Sequence, residues 1–264
     1  MPSRLHVEIT GDGPPVVLVH SSGLSGRQWR RLASLLVKRG FRAIVPDLTG
    51  HGSSPPLPEP APFSYVADVE ALVALLETYA PVHLVGHSYG GLIAILAAVR
   101  APKALLSLTL FDPVAFAVLD RPEDGTALLE LGSVASPWGT SERDHEAWLQ
   151  AFVEYWGGEG AWLALREEAR AEFRRVGWAV QQGVSTLVDD RTPNDAYRAI
   201  TCPVTVMTGE LSPLAARSVV MRLAETLPQA RIVSVPGAGH MAPLSHGDLV
   251  NQAIVETITS APQD

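Results

Sequence analysis

A serine occurs within the pattern Gly-x-Ser-x-Gly, written Gly-His-Ser-Tyr-Gly over residues 86–90. A serine hydroxyl becomes a nucleophile only when a neighbouring base takes its proton. An apolar run, 82–85, precedes the pattern, and an almost wholly apolar stretch, 90–100, follows it. This context predicts a strand, a sharp turn and a buried helix that exposes the hydroxyl above the helix N-terminus. Ser88 is the candidate nucleophile; the alternative is a glycine-rich turn that only packs a helix on a sheet.

His240 is the candidate base for this serine. It lies among small residues, 237–241, just after the last predicted strand, 232–235. Small neighbours allow an imidazole on a loop to reach over the strand ends, where it can accept a proton. Most of the other seven histidines can be interpreted as local features of a strand or of the surface; the seven are His6, His20, His51, His83, His87, His145 and His246.

Strand and helix patterns alternate along most of the chain, and they must position these residues. Seven short apolar or alternating runs are predicted as strands: 5–9, 16–20, 41–45, 82–86, 105–111, 204–208 and 232–235. Several of the runs are continuously apolar, which is typical of strands buried on both faces of a parallel sheet. Helical patterns separate the strands. The chain therefore predicts an α/β fold, a mostly parallel central sheet with helices on both faces.

The alternation stops between Pro113 and Ile200, where the periodicity is helical and no strand is evident. Five of the six tryptophans fall in this stretch: Trp138, Trp148, Trp156, Trp162 and Trp178. We predict a core made of residues 1–113 and 199–264 and an inserted helical cap, or lid, over 114–198. The alternative is a helical subdomain whose tryptophans fill only its own core.

Four motifs, taken in order, resemble those of the α/β-hydrolase family. His-Ser-Ser-Gly at 20–23 is similar to the family's H-G-x-x-G loop, with Ser21 in place of the usual glycine. The segment 47–54 is similar to its D-x-x-G-x-G-x-S motif, and the serine turn and the Gly-His pair at 239–240 complete the set. The resemblance covers roughly 3–113 and 200–264. It implies the α/β-hydrolase fold and a hydrolytic reaction without a cofactor.

The resemblance also implies an oxyanion hole made by two backbone N–H groups, those of Ser22 and Tyr89. Such donors stabilise charge that appears only in the transition state, and one donor is typically worth about 3 kcal/mol.

The family's acid is the point at which this chain departs from the pattern. The acid usually follows the strand at 204–208, but Ser212 stands there. In some branches of the family the acid ends the strand after the nucleophile helix, where this chain has Asp112. Asp112 is therefore the expected acid and Glu210 the reserve candidate. The alternative for Asp112 is a turn residue before a proline.

These residues predict a cofactor-independent serine hydrolase that cleaves a carboxylic ester, lactone or thioester through an acyl-enzyme on Ser88. The aromatic cap predicts a small, largely apolar acyl substrate. One alternative is a C–C bond hydrolase or perhydrolase that uses the same residues. Another is a non-catalytic ligand-binding protein of the same fold, which only the missing aspartate at Ser212 favours.

Composition limits the other functions. The 264 residues are 47% hydrophobic and carry a net charge of -8, so nucleic acid and anionic membranes are unfavourable partners. No zinc pattern, phosphate loop or dinucleotide fingerprint is evident, so neither a metal nor a cofactor is expected. Cys202 is the single cysteine, and neither a signal peptide nor a membrane span is recognisable. We expect a cytoplasmic protein, and association into a homo-oligomer is left open.

Overall fold

The computed structural model describes residues 5–132 and 138–261. In these ranges seven strands form one sheet in the order β1-β3-β2-β4-β5-β6-β7. β1 is antiparallel to β3, and the other neighbours are parallel. The α/β class and the mostly parallel sheet are thus confirmed. The strands are β1 (His6–Thr10), β2 (Pro15–Val19), β3 (Arg42–Asp47), β4 (Val82–His87), β5 (Leu105–Phe111), β6 (Val204–Gly209) and β7 (Ala230–Val235).

Helices cover both faces of this sheet. Those of the sheet-forming part are α1 (Arg30–Lys38), α2 (Tyr65–Tyr79), α3 (Tyr89–Arg100), α8 (Leu214–Thr226), α9 (Ala242–Ser245) and α10 (Gly247–Ser260). The helices between β5 and β6 are α4 (Gly125–Gly132), α5 (Glu142–Gly157), α6 (Ala161–Ala164) and α7 (Glu167–Leu187), with short 3₁₀ turns beside them. None of the helices within the described ranges is both long and apolar enough to cross a membrane.

The continuous apolar run of β2 shows why the sheet needs helices on both sides. Val17 and Val19 pack into one hydrophobic cluster, together with side chains of α2, α3 and α8. Val16 and Leu18 point the other way and pack with side chains of α1 and α10. Successive side chains of a strand alternate between faces, so an uninterrupted apolar run has to be covered twice.

The segment 114–198 is called the cap below. Its described residues form helices and turns, as the sequence predicts. It has an aromatic cluster of its own, to which Trp138, Trp148 and Trp162 belong. Several tryptophans therefore do fill the cap's own core. Among them, Trp156 also packs against the hydrophobic cluster that contains Val17 and Val19. The division into core and cap stays a prediction.

The turn between β4 and α3 is pressed against the end of β2. A Cβ atom on Gly90 would lie 2.3 Å from the carbonyl oxygen of His20 and 2.7 Å from that of Val19. A Cβ atom on Gly86 would lie 2.5 Å from the Gly90 carbonyl oxygen. Backbone atoms cannot yield as a flexible side chain can, so both positions require glycine.

We predict that Gly90→Ala lowers the free energy of unfolding by about 1–3 kcal/mol, because the added methyl overpacks the turn. The matched control is Gly125→Ala, in a helix where a Cβ atom would meet nothing within 4 Å. This control should raise the free energy of unfolding by about 0.4–1 kcal/mol, because alanine has fewer unfolded conformations. Urea denaturation followed by tryptophan fluorescence measures both. Equal stability of Gly90→Ala and the wild type would contradict the close approach.

Candidate active site

Three buried side chains meet at the carboxyl ends of the strands. Ser88 follows β4, Asp112 follows β5, and His240 lies in the loop after β7. His240 Nε2 is 2.9 Å from Ser88 Oγ, and His240 Nδ1 is 3.2 Å from Asp112 Oδ2. In open parallel sheets this edge is where ligands bind. The structure therefore brings together the three residues that the sequence analysis singled out, in the geometry of a nucleophile, a base and an acid.

The backbone at Ser88 is strained, with φ at 56°. Its N–H donates to the carbonyl of Phe111 at 2.9 Å, and its carbonyl accepts from the N–H of Leu92 at 3.0 Å. A non-glycine residue in this region costs roughly 1–3 kcal/mol and persists only where the surroundings hold it. In this conformation the Ser88 hydroxyl lies 2.9 Å from His240 Nε2.

Asp112 is the second non-glycine residue with a positive φ among the described residues, at 41°. Its N–H donates to the carbonyl of Met207 at 2.8 Å. The two strained residues are therefore two members of the same hydrogen-bonded row. Strain of this kind clusters at functional sites, which favours a functional role for Asp112 over a simple turn before Pro113.

Ser212, which stands where the family's acid is usually found, contacts Asp112. Its hydroxyl donates to Asp112 Oδ2 at 2.6 Å. Ser212 Oγ also accepts a hydrogen bond from the N–H of Gly209 at 3.1 Å. The hydroxyl proton of Ser212 is therefore free to point at the carboxylate of Asp112. The sequence alone shows Ser212 only as a missing aspartate. Its role as a donor is visible in the fold, which places it beside the strand end of β5.

Glu210, the reserve candidate, has a different set of contacts. Its Oε2 accepts the N–H of Gly237 at 2.8 Å, and the side chain is exposed. This bond braces the loop that leads to His240, and no described contact joins Glu210 to the imidazole. Asp112 is the carboxylate that the structure brings to His240.

Ser22 and Tyr89 line the same cavity as Ser88. Tyr89 is the first residue of α3, and the first N–H groups of a helix have no carbonyl partner within the helix. Ser22 lies in the loop after β2. An oxyanion formed at Ser88 would therefore lie near both residues, as the resemblance implies, and their role stays a proposal.

Two buried histidines hold the loop that carries Ser22. His20 Nε2 accepts the N–H of Leu48 at 2.9 Å, and His51 Nε2 accepts the N–H of Gly23 at 3.1 Å. Burial lowers the pKa of His51 to about 3, and it lowers the pKa of His20 as well. Both rings are therefore neutral acceptors at neutral pH. They join the first two family-like motifs to each other, a role that the motif spacing alone did not reveal.

A further chain of hydrogen bonds links three loops of the site. The N–H of Ser21 donates to Gln28 Oε1 at 3.0 Å, and Gln28 Nε2 lies 3.0 Å from His87 Nδ1. The other nitrogen of His87 donates to the carbonyl of His240 at 2.9 Å. Burial holds the pKa of His87 well below its usual value, so the ring is neutral. Because Nε2 faces the carbonyl of His240, the single ring proton lies on Nε2. The spacing of Ser25 and Gln28 is that of a capping box, but the Gln28 side chain makes these contacts instead.

Trp156, on helix α5 of the cap, lies against the imidazole. The two ring centroids are 4.1 Å apart and the rings are inclined by 33°. An aromatic face stabilises a cation placed over it. Trp156 therefore both shields His240 from water and offers a favourable surface to an imidazolium. The concentration of tryptophans in the cap was the only sequence signal for it.

The cavity above Ser88 has a volume of about 360 Å³. Most of its wall is apolar and aromatic, and much of that wall comes from the cap: Val114, Phe116, Trp148, Phe152, Trp156 and Leu187. A wall of this kind excludes water and strengthens the electrostatic interactions inside it.

Other chemistry finds less support among the described residues. Burial raises the pKa of the Cys202 thiol to about 11, so it is protonated at neutral pH and a weak nucleophile. In the described ranges no group of three or more histidine, cysteine or acidic side chains is arranged to hold a metal ion.

The fold and this row of side chains define a class of protein, the α/β hydrolases. A model of the alpha/beta hydrolase family matches residues 16–253. The chain belongs to the α/β-hydrolase family, and it is an enzyme, a hydrolase.

Several known proteins similar to this chain are hydrolases. A pimeloyl-[acyl-carrier protein] methyl ester esterase of Chromobacterium violaceum is 32% identical, over 96% of this chain and 97% of the relative. An (E)-2-((N-methylformamido)methylene)succinate hydrolase of Acinetobacter baylyi is 25% identical, over 96% and 93%. The solved structure of a thermophilic esterase from Thermogutta terrifontis is similar with a TM-score of 0.73 and 27% identity, over 97% and 93%.

We predict that Asp112→Asn lowers kcat by roughly 10²–10⁴, because an amide offers the imidazole the wrong hydrogen-bonding partner and no charge. Glu210→Gln should lower kcat by much less than about tenfold, because it affects only an exposed hydrogen bond to the N–H of Gly237. Steady-state kinetics on a 4-nitrophenyl ester gives both values. The reverse order of the two effects would assign the acid to Glu210.

We predict that Ser212→Ala lowers kcat about tenfold, because the carboxylate of Asp112 loses a charge-assisted donor worth about 1.5–3 kcal/mol. Ser212→Thr keeps the hydroxyl and should recover most of the rate. The thermal midpoint of each variant is measured beside kcat, so that a loss of folding is recognised. A correctly folded Ser212→Ala enzyme with the wild-type kcat would reduce Ser212 to a turn residue.

Proposed function

We propose that the protein is a cofactor-independent serine hydrolase that cleaves carboxylic esters through an acyl-enzyme on Ser88. The observation that carries the proposal is the hydrogen-bonded row from Ser88 through His240 to Asp112, buried beneath an apolar cavity. A lactone or a thioester would use the same groups.

In the first half of the reaction, Ser88 Oγ attacks the ester carbonyl carbon while His240 Nε2, 2.9 Å away, takes the hydroxyl proton. The carboxylate of Asp112 offsets the charge that forms on the imidazole. The N–H groups of Ser22 and Tyr89 receive the oxyanion. The intermediate then collapses: the bond to the alcohol oxygen breaks, and His240 returns the proton to that oxygen.

In the second half a water molecule repeats the sequence. His240 takes a proton from the water while the water oxygen attacks the acyl carbon. The bond between the acyl carbon and Ser88 Oγ then breaks. The proton returns to Ser88, and the carboxylic acid leaves. The hydrogen bonds that fix the three loops around Ser88 mean that little reorganisation accompanies either half, which is the main source of electrostatic catalysis.

The cap, residues 114–198, acts in this proposal as a lid that selects the acyl group. It contributes the aromatic wall above Ser88, and its Trp156 lies over the base. A small, largely apolar acyl chain matches such a wall, because apolar surface removed from water stabilises the complex by about 25 cal/mol per Å².

Two of the similar proteins favour an ester as the substrate. By name, the Chromobacterium violaceum relative is a methyl ester esterase, and the similar structure from Thermogutta terrifontis is an esterase. C–C bond hydrolysis and perhydrolysis remain the alternatives, and no described contact favours either. A non-catalytic role rested on the missing aspartate at Ser212, and Asp112 supplies a carboxylate to His240 instead. The cytoplasmic location and a homo-oligomeric state stay predictions.

We predict that the wild type hydrolyses 4-nitrophenyl butyrate and that Ser88→Ala lowers kcat by at least about 10⁴-fold, because no other group can form the acyl-enzyme. A fluorophosphonate should label the wild type and not the variant. Circular dichroism should show the same fold, since alanine fits where serine's backbone already fits.

The control is Ser34→Ala, which removes a hydroxyl from the exposed side of α1 and should leave activity and labelling unchanged. Retention of a tenth of the activity by pure Ser88→Ala protein would remove Ser88 from the nucleophile role. A screen that set chain-length series of esters beside lactones and C–C substrates would rank the alternatives.

A further inference from the structure

The net negative charge of the protein is concentrated in the cap. Residues 114–198 contain 15 acidic and 8 basic side chains, a net charge of -7 out of -8 for the whole chain. The sheet-forming part is therefore nearly neutral. Since the cap forms much of the wall above Ser88, a substrate approaches the site past the negatively charged part of the molecule.

Several positive charges of the cap are already neutralised by neighbouring acids. Arg174 pairs with Glu146 and Glu167, both at 2.7 Å. Arg175 pairs with Glu172 at 2.6 Å. Cations bound in this way do little to attract an anionic ligand, so the field around the cap stays negative.

The wall of the cavity carries no charged side chain among the described residues. Its polar groups include Gln181, Ser185 and Tyr155, and the Tyr155 hydroxyl donates to Glu130 at 3.0 Å. A carboxylate thus stands directly behind this part of the wall. The residues 133–137, outside the described ranges, have no charged side chain in the sequence either. An anion inside the cavity would meet no cation and would lie near an acid.

One arginine lies close by and has to be considered. Arg191 lines a neighbouring cavity that shares Leu187 and Val188 with the first. Its guanidinium donates to the carbonyls of Val188 and Asp190, each at 2.8 Å. The acids Asp120 and Asp190 line the same cavity. Arg191 therefore caps the end of α7 in an acidic setting and does not project into the cavity over Ser88.

We propose that the site selects esters whose acyl group is uncharged, and that it discriminates against acyl groups that end in a carboxylate. The inference rests on the proposed esterase function and adds the class of substrate. The physical reason is that an unpaired anion loses its hydration in an apolar cavity and gains no partner there. The negative cap adds a repulsion during approach.

The test compares two methyl esters of equal length, methyl hexanoate and monomethyl adipate, in which a carboxylate replaces the terminal methyl. We expect kcat/KM at pH 7.5 to be higher for methyl hexanoate on the order of 10²-fold, which corresponds to the desolvation of one unpaired carboxylate. A ratio of less than tenfold would overturn the proposal.

A variant pair separates charge from shape. Ser185→Lys places a cation at the wall and should narrow the ratio at least tenfold, by raising kcat/KM for monomethyl adipate. Ser185→Met has a side chain of similar length without charge and should leave the ratio unchanged. If Ser185→Lys leaves the ratio of kcat/KM between the two esters at its wild-type value, the discrimination is due to shape. That result would overturn the electrostatic argument.

The failure of this inference differs from the failure of the proposed function. If both esters are cleaved at similar rates and a fluorophosphonate labels Ser88, the esterase stands and the selection for uncharged acyl groups is wrong. If neither ester is cleaved and Ser88 is not labelled, the esterase itself is wrong, and the inference falls with it.

Discussion

The strained turn at Ser88 is the constraint on which the rest of the structure depends. A φ of 56° is unfavourable for serine, so the surroundings have to hold it. They do so through the hydrogen bonds to Phe111 and Leu92 and through the close approach of Gly90 to the end of β2. That approach in turn requires a glycine, a buried helix and a sheet covered on both faces. The apolar runs of the sequence therefore serve the placement of one hydroxyl.

The position of Asp112 shows how a residue at one strand end can reach the same place as a residue at the next. β5 and β6 are parallel neighbours, so their carboxyl ends lie at the same edge of the sheet. A carboxylate after β5 can thus reach His240 as one after β6 usually does, and the residue after β6 is then free to become a donor. Ser212 occupies that place, and its hydroxyl donates to the carboxylate of Asp112. With a serine after β6, only one carboxylate lies beside the imidazole. Two carboxylates at this place would repel each other.

The cap and the sheet-forming part contribute different features around Ser88. The nearly neutral sheet-forming part carries Ser88, Asp112 and His240, in loops joined by the neutral rings of His20, His51 and His87. The cap contributes apolar surface, most of the negative charge and Trp156. Because Trp156 lies against His240, the two segments meet at the imidazole.

The sequence by itself determined the class of fold, the sharp turn at Ser88, the loop that carries His240 and the charge of the cap. Hydrophobic periodicity, glycine spacing and residue counts are local properties, so they can be determined directly from the sequence. It also favoured Asp112, but only the tertiary structure separated Asp112 from Glu210, because the distance to His240 depends on how neighbouring strands are ordered. The same holds for Gln28, Ser212 and Trp156. Each contacts a partner at least 59 residues away in the chain, and such contacts arise from the packing of whole elements, which no local pattern encodes.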